Sequence, residues 1–350
     1  MALTLRPLED ADVPALAALL AARRREERVA LPLLNERFAD VAVCAEVLRG
    51  HLAEARCDNV VAERGRLIAG FLIGHRKHTS VESFEAQYEP PTQVSMPGSG
   101  HGVAPGEDVE AVYAAMYAYL GERWVDGGYF EHRITMPLGM PASVEAWFHL
   151  GFGSLYTFCV RESTPLAASR ATQHLDATID VQRATPSERA EVLRFQDESG
   201  RWHRQAPIFW PYMERQAAVA ISEYTAGALS DESNGIFLAR RNGVAVALNL
   251  LMAQADWGSS FTQPEGSIYL YEGITSPEAR STGAGTAILA HTLDWAREAG
   301  HPYVTLHYAT PNPSGGPFWR GHGFVPVEVT LQRRLDERLA WARPLTGNNP

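Results

Sequence analysis

Residues 277–289 read PEARSTGAGTAIL, with Arg280 three residues before Gly283 and a second glycine at 285. The preceding SIYLYEGIT, Ser267 to Thr275, is rich in β-branched and aromatic residues, as a strand is. After the glycines, Ile288, Leu289, Thr292, Leu293 and Ala296 share one helical face, and Gly300 and Pro302 end the pattern. The glycine pair therefore occupies a strand-to-helix turn, where bare backbone amides gather at the positive end of a helix and can hold an anion. Two phosphate-binding patterns fail on residues their chemistry needs. A P-loop puts lysine directly after its last glycine, and here Thr286 and Ala287 follow Gly285. A dinucleotide fingerprint needs a small sixth residue and an acid ending the next strand, but Ile288 holds that position and YVTLHYATPN ends without an acid.

Other chemistry-bearing residues are scattered. Cys44, Cys57 and Cys159 are odd in number and form no CxxC, so neither structural disulfides nor a zinc site is expected. His203, His307 and His322 lack the spacing of a metal set, and Ser314 has no His-Asp pattern to make it a nucleophile. No metal is expected. One stretch, RWHRQAPIFWPYMERQ, brings Trp202, His203, Phe209, Trp210 and Tyr212 within eleven residues. Pro207 and Pro211 interrupt any helical period there, which reads as a shaped aromatic loop.

The elements that must position these residues are those of a globular chain. At 350 residues, 45% hydrophobic and 21% charged, it is long enough for two domains with a core each. No apolar run approaches the roughly 20 residues that span a bilayer, so no membrane partner is expected. The N-terminus carries acids before its apolar stretch and arginines after it, the reverse of a secretory signal, and the expected location is cytoplasmic. A formal charge of -10 works against a nucleic-acid groove and favours cationic small molecules.

The second half repeats the first at an offset of 171 to 177 residues, the mark of duplication. Arg6 faces Arg183, Pro105 faces Pro277, Trp124 faces Trp295, and WFHLGF at 147–152 faces WRGHGF at 319–324. Each half runs strand, amphipathic helix, variable helical stretch, two antiparallel strands, third strand, helix, strand, short helix and last strand. The expected fold class is α/β (α+β): two tandem domains, each a mixed, mostly antiparallel twisted sheet flanked by helices. Residues 161–180 are small, polar and aperiodic, giving an N-terminal unit at 1–162, a linker at 163–179 and a C-terminal unit at 180–350. Where the second half has its glycine turn, the first has HGVAPGEDVEAVY, and Glu107 and Asp108 would repel a diphosphate. One working half and one structural half are expected.

Arg280-Ser-Thr-Gly283-Ala-Gly285 resembles the R/Q-x-x-G-x-G/A signature of the GNAT superfamily of acyl-CoA-dependent N-acyltransferases, and PEAR resembles its P-x-x-R lead. Asn312 to Phe324, NPSGGPFWRGHGF, is similar to the family's asparagine after its fifth strand, short helix and closing Gly-Phe. The resemblance covers 180–335 well and 1–162 in outline. The tandem build is similar to that of mycothiol synthase, with nothing that identifies its thiol-sugar substrate. The resemblance implies two GNAT-like domains, the first with a degenerate coenzyme site, and acetyl-CoA as cosubstrate of the second. It implies pantetheine on Ile274 and Thr275, and pyrophosphate on Arg280, Ser281, Thr282, Gly283, Ala284, Gly285 and Thr286. Asn312, Phe318, Trp319 and Arg320 would line the far side of the coenzyme.

Glu272 stands where the family often keeps a general base, and its neighbours Tyr269 and Tyr271 could raise its pKa. The family's frequent acid, a tyrosine, is replaced by Trp319, and in the first half by Trp147, neither of which donates an acidic proton. Tyr308 is the candidate substitute. Acceptor specificity in this family implies an acceptor wall of Trp202, His203, Phe209, Trp210 and Tyr212. The expected function is transfer of an acetyl group to the amine of a small molecule (antibiotic, amino sugar, amino acid or polyamine) by a monomer or homodimer. The alternatives are a noncatalytic acyl-CoA sensor and a protein lysine acetyltransferase.

Overall fold

Gly65 takes φ 71°, and Asn242 and Gly243 take φ 52° and 80°, the left-handed backbone that tight hairpin turns need. In the computed structural model, which describes residues 2–167, 179–253 and 261–341, these turns close the two hairpins expected from the sequence. Residues 168–178 of the expected linker and 342–350 of the expected C-terminal unit lie outside the described residues.

In the first half, β1 (Leu3–Arg6), β2 (Cys57–Arg64), β3 (Leu67–His78) and β4 (Thr92–Met96) pair antiparallel in order. β5 (His101–Val103) is a short strand beside β3, and β6 (Glu131–Pro137) lies parallel to β4. The second half repeats the plan: β8 (Ile179–Arg183), β9 (Gly235–Arg241), β10 (Val244–Met252) and β11 (Ile268–Thr275) pair antiparallel, and β12 (Tyr303–Ala309) lies parallel to β11.

The closing strands, β7 (Gly153–Glu162) and β13 (Val325–Arg334), change places. β13 of the second half pairs with β6 of the first, from Glu328↔Pro137 to Arg334↔Glu131, and β7 pairs with β12, from Tyr303↔Glu162 to Ala309↔Tyr156. The two also pair with each other, so one 13-stranded sheet runs through the described residues. This differs from two units with a core each. Val329 and Leu331 from the second half complete the first core around Trp124 and Trp147, and Cys159 from the first half sits in the second core with Leu289 and Leu306. The edge of β6 is thus covered by the closing strand of the second half, and that of β12 by the closing strand of the first.

Alternation along the central strands covers both faces of the sheet. Val61, Phe71 and Ile73 face α1 (Val13–Ala30) and α2 (Val41–Ala53), while Val60, Ala62 and Leu72 face α3 (Val109–Asp126) and α4 (Pro141–His149). Likewise Ile236 and Leu238 pack with α5 (Arg189–Arg204) and α6 (Ala218–Ser230), while Phe237 and Ala239 pack with α7 (Ala284–Glu298) and α8 (Gly315–Gly321). Among the described residues no helix is long and apolar enough to cross a membrane.

Candidate active site

β11 and β12 pair only at Ile268↔Val304 and Tyr269↔Thr305, while β11 continues to Thr275 and β12 to Ala309. Two strands joined at one end and parted at the other leave an opening flanked by main-chain polar groups. On its other edge β11 carries a bulge: Leu250 faces Glu272 and Leu251 faces Leu270, so Tyr271 is the extra residue and the strand bends there. Gly273 permits the close approach of Trp319, whose ring would lie 2.9 Å from a Cβ at that position.

Glu272 stands half-buried on the bent strand. The buried Ser199 on α5 donates from Oγ to Glu272 Oε1 at 2.7 Å, and its carbonyl accepts from His203 Nδ1 at 2.9 Å. Burial pushes the Glu272 carboxyl up to about 7, and the Ser199 hydroxyl pulls it back in part. His203, lowered by burial, stacks on Trp210 with ring centroids 5.3 Å apart. Tyr269 pairs through its hydroxyl with His307 Nδ1 at 3.0 Å, and burial holds His307 down to about 3, a neutral ring at physiological pH. The first half reaches the same place: Tyr88 meets Tyr271 hydroxyl to hydroxyl at 2.5 Å, and Phe84 stacks on Tyr224 at 4.0 Å. On β12, Tyr308 accepts from Arg320 Nη1 at 2.9 Å.

The glycine turn joins β11 to α7. Ser281 and the helix-capping Gly283 take φ 61° and 90°, and no side chain caps the first turn of α7. The first amides of a helix have no partner within it, so those of Gly283 to Thr286 remain donors at the positive helix end. The side chains here are engaged elsewhere: Thr282 Oγ1 donates to Ala279 O at 2.6 Å, Ala284 is fully buried, and Arg280 donates from Nε to Thr275 O at 3.2 Å while lying 4.0 Å over the Trp202 ring. At Gly285 a Cβ would meet Thr275 Oγ1 at 3.0 Å and the Phe318 ring at 3.5 Å, so this position serves as a cradle. The turn fits a diphosphate held by main chain. The corresponding helix of the first half is filled from within: Asp108 caps α3 by accepting from Ala111 N at 3.1 Å, and Glu107 pairs with Arg64 at 2.9 Å.

A cleft of ≈ 1410 Å³ joins these parts and runs from Ser281 and Gly285 past Glu272 to His51 and His75 of the first half. Trp202, His203, Trp210 and Tyr212 line it, as do Ile274, Thr275, Thr286, Tyr308, Phe318 and Trp319. Trp202 and His203 end α5 rather than lying in a loop, because the helix persists to Arg204 before Pro207 stops it. Phe209 does not join the wall: its φ of 56° turns it away and it is 68% exposed. Asn312 is spent on starting α8, its Oδ1 accepting from the amides of Ser314 and Gly315 at 3.1 and 3.0 Å. Arg320 points to Tyr308. Ser199, Tyr88 and Tyr156 belong to the cleft and carry no pattern that singles them out in the sequence, although Ser199 and His203, four apart, share a helix face once α5 is known.

A glycine turn at a helix start, a forked pair of strands and a half-buried carboxyl beside them together suit acyl transfer from a coenzyme thioester. Residues 199–324 match the sequence model of the Acetyltransferase (GNAT) family, a family that uses acyl-CoA. No curated protein matches it in sequence. Its fold is similar to that of a GCN5-related N-acetyltransferase from Sphaerobacter thermophilus, 15% identical with a TM-score of 0.55, over 95% of this chain and 95% of that one. It is also similar to the glucosamine N-acetyltransferase region of a fungal multi-domain GH3 β-N-acetylglucosaminidase, 14% identical with a TM-score of 0.52, over 95% of this chain and 38% of that one.

Proposed function

We propose that the chain is an acetyl-CoA-dependent N-acetyltransferase of the cytoplasm that acts on the amine of a small molecule: an antibiotic, amino sugar, amino acid or polyamine. In this reading residues 180–350 are the catalytic unit, and 1–162 supply the far wall of the acceptor side. Glu272 carries the proposal: it is a carboxyl with a pKa of about 7 on the strand that flanks the fork, next to an amide-lined turn suited to a diphosphate.

The coenzyme supplies an acetyl group activated as a thioester. Main-chain amides of the turn hold its pyrophosphate, and the free edge of β11 at Ile274 and Thr275 lies along its pantetheine arm. Ser199 fixes the Glu272 carboxylate, which draws in the cationic acceptor and takes its proton, leaving the amine lone pair free to attack. Arg320 donates to the Tyr308 oxygen, so the Tyr308 proton is left to be passed to the departing sulfur. Trp202, His203, Trp210 and Tyr212 form one wall of the acceptor space, and Tyr88 faces them from the first half.

Thiol release from acetyl-CoA across a panel of small amines tests the proposal. Turnover with one amine class is expected, with Glu272→Gln losing about 10²–10⁴-fold in rate and keeping coenzyme affinity. Tight coenzyme binding with no thiol release from any amine would leave a sensor instead. Acetylation of peptides with none of free amines would make it a protein lysine acetyltransferase.

A further inference from the structure

At the first-half end of the cleft, the half without a coenzyme turn, three metal-ligating side chains converge. His51 lies in the last turn of α2, Glu54 directly follows that helix, and His75 comes from β3. One donor atom from each lies within 4.8 Å of the other two. His75 Nε2 is 3.1 Å from His51 Nδ1, and His75 Nδ1 is 3.0 Å from Glu54 Oε2. We propose that His51, Glu54 and His75 form a binding site for a divalent transition-metal cation.

The donor set decides the class of ion. Two imidazoles and one carboxylate suit Zn²⁺, Co²⁺, Ni²⁺ or Cu²⁺, whereas Ca²⁺ and Mg²⁺ favour oxygen alone. A tetrahedral ion with bonds of about 2.0–2.1 Å spaces its ligand atoms by about 3.3 Å; His75 faces His51 through Nε2 and Glu54 through Nδ1, so only one of these nitrogens would ligate, and the three donor atoms, now within 4.8 Å of one another, would draw together around the ion. All three residues line the cleft. Three protein ligands would leave one position open toward it, for water or a donor atom of the acceptor.

The surroundings supply what such a site needs. The buried Ser99 places its Oγ 2.8 Å from His51 Nε2, occupying that nitrogen and turning Nδ1 toward His75. A hydrogen-bonded partner on the second ring nitrogen is the usual support of a metal-binding histidine. Nearby cations are already paired: Lys77 with Glu89 at 3.2 Å and Arg76 with Asp58 at 2.8 Å. The histidines are 24 residues apart on different elements, so no sequence motif announces them. This inference is independent of the acyl-transfer reading.

Co²⁺ titrated into the full chain after stripping with chelator tests it. The expected result is a visible ligand-field absorption that saturates at one Co²⁺ per chain and is displaced by Zn²⁺. His51→Gln and His75→Gln should each weaken uptake by at least about 100-fold, and Ser99→Ala by about 10-fold, while coenzyme affinity stays unchanged as a check of folding. Absence of saturable absorption in the wild type, or uptake by both histidine variants equal to that of the wild type, overturns the site. Should the variants misfold, imidazole ¹⁵N spectra of the wild type with Zn²⁺ decide: the nitrogens of these two rings shift if they ligate, and unshifted rings overturn the proposal.

Discussion

Burying a carboxylate disfavours its charged form, and at Glu272 that penalty is what would make the proposed base. Ordinary glutamate is ionised at neutral pH and too weak to take a proton from an ammonium, whereas one at about 7 is half ionised there and a stronger acceptor. The rate at low acceptor concentration should therefore rise through a limb near pH 7 and flatten above it. Because the Ser199 hydroxyl favours the charged form, Ser199→Ala should move that limb to higher pH without removing it. A pH profile of kcat/KM measures both, and a limb unmoved by Ser199→Ala would show that this contact does not tune the base. The same shift has a consequence for stability. A carboxyl whose pKa is raised on folding favours the folded state when protonated; that contribution is present below the unfolded value near 4.5 and is lost as pH rises through about 7. Glu272→Gln should accordingly stabilise the chain by roughly 1–3 kcal/mol at pH 8 and by little below pH 5. Denaturant unfolding at the two pH values checks the sign.

The turn at 280–286 suits an anion because the first amides of its helix have no partner within the helix, while Thr282 and Ala284 are turned inward. Gly283 is the most constrained position, since φ 90° strains any side chain, and Gly285 is hemmed in by Thr275 and Phe318. Gly285→Val should weaken acetyl-CoA binding by at least about 10-fold while lowering stability by only about 1 kcal/mol, because the displaced Thr275 hydroxyl and Phe318 ring lie at the cleft wall. Calorimetric titration and a melting curve separate the two effects, and unchanged affinity would remove the turn from the coenzyme site. This element was legible in the sequence because glycine spacing, helix period and the preceding strand are all local. The aromatic stretch was legible only in part. Its prolines mark where the helix must end, but Trp202 and His203 precede them by several residues and remain helical, and the left-handed backbone at Phe209 that turns its ring outward has no signature in the residue type. Tyr88 could not be placed at all, since its meeting with Tyr271 depends on how two distant segments pack across the sheet.

The duplication was visible in the sequence, but what the molecule does with it was not. Repeats report that two halves share a plan; they do not report that β7 and β13 trade partners, because the exchanged registers look as apolar as unexchanged ones would. The exchange ties the halves thermodynamically. Trp124 is fully buried in a first-half core that contains Val329 and Leu331 from beyond the active site, so damage there loosens β13, and β13 flanks the β7 that edges β12. Trp124→Ala should remove about 3–5 kcal/mol from that core. If the halves were separate units, only one calorimetric transition of two would shift, and the coenzyme half would melt as before. The continuous sheet leads us to expect a single transition that moves as a whole, with acetyl-CoA, proposed to bind only in the second half, raising the melting temperature of the entire chain by mass action. Binding should saturate at one coenzyme per chain, since Asp108 and Glu107 fill the first-half helix end with their own carboxylates. Two resolved transitions, with the coenzyme raising one and Trp124→Ala lowering the other, would show that the exchanged strands join the halves in space without joining them in free energy.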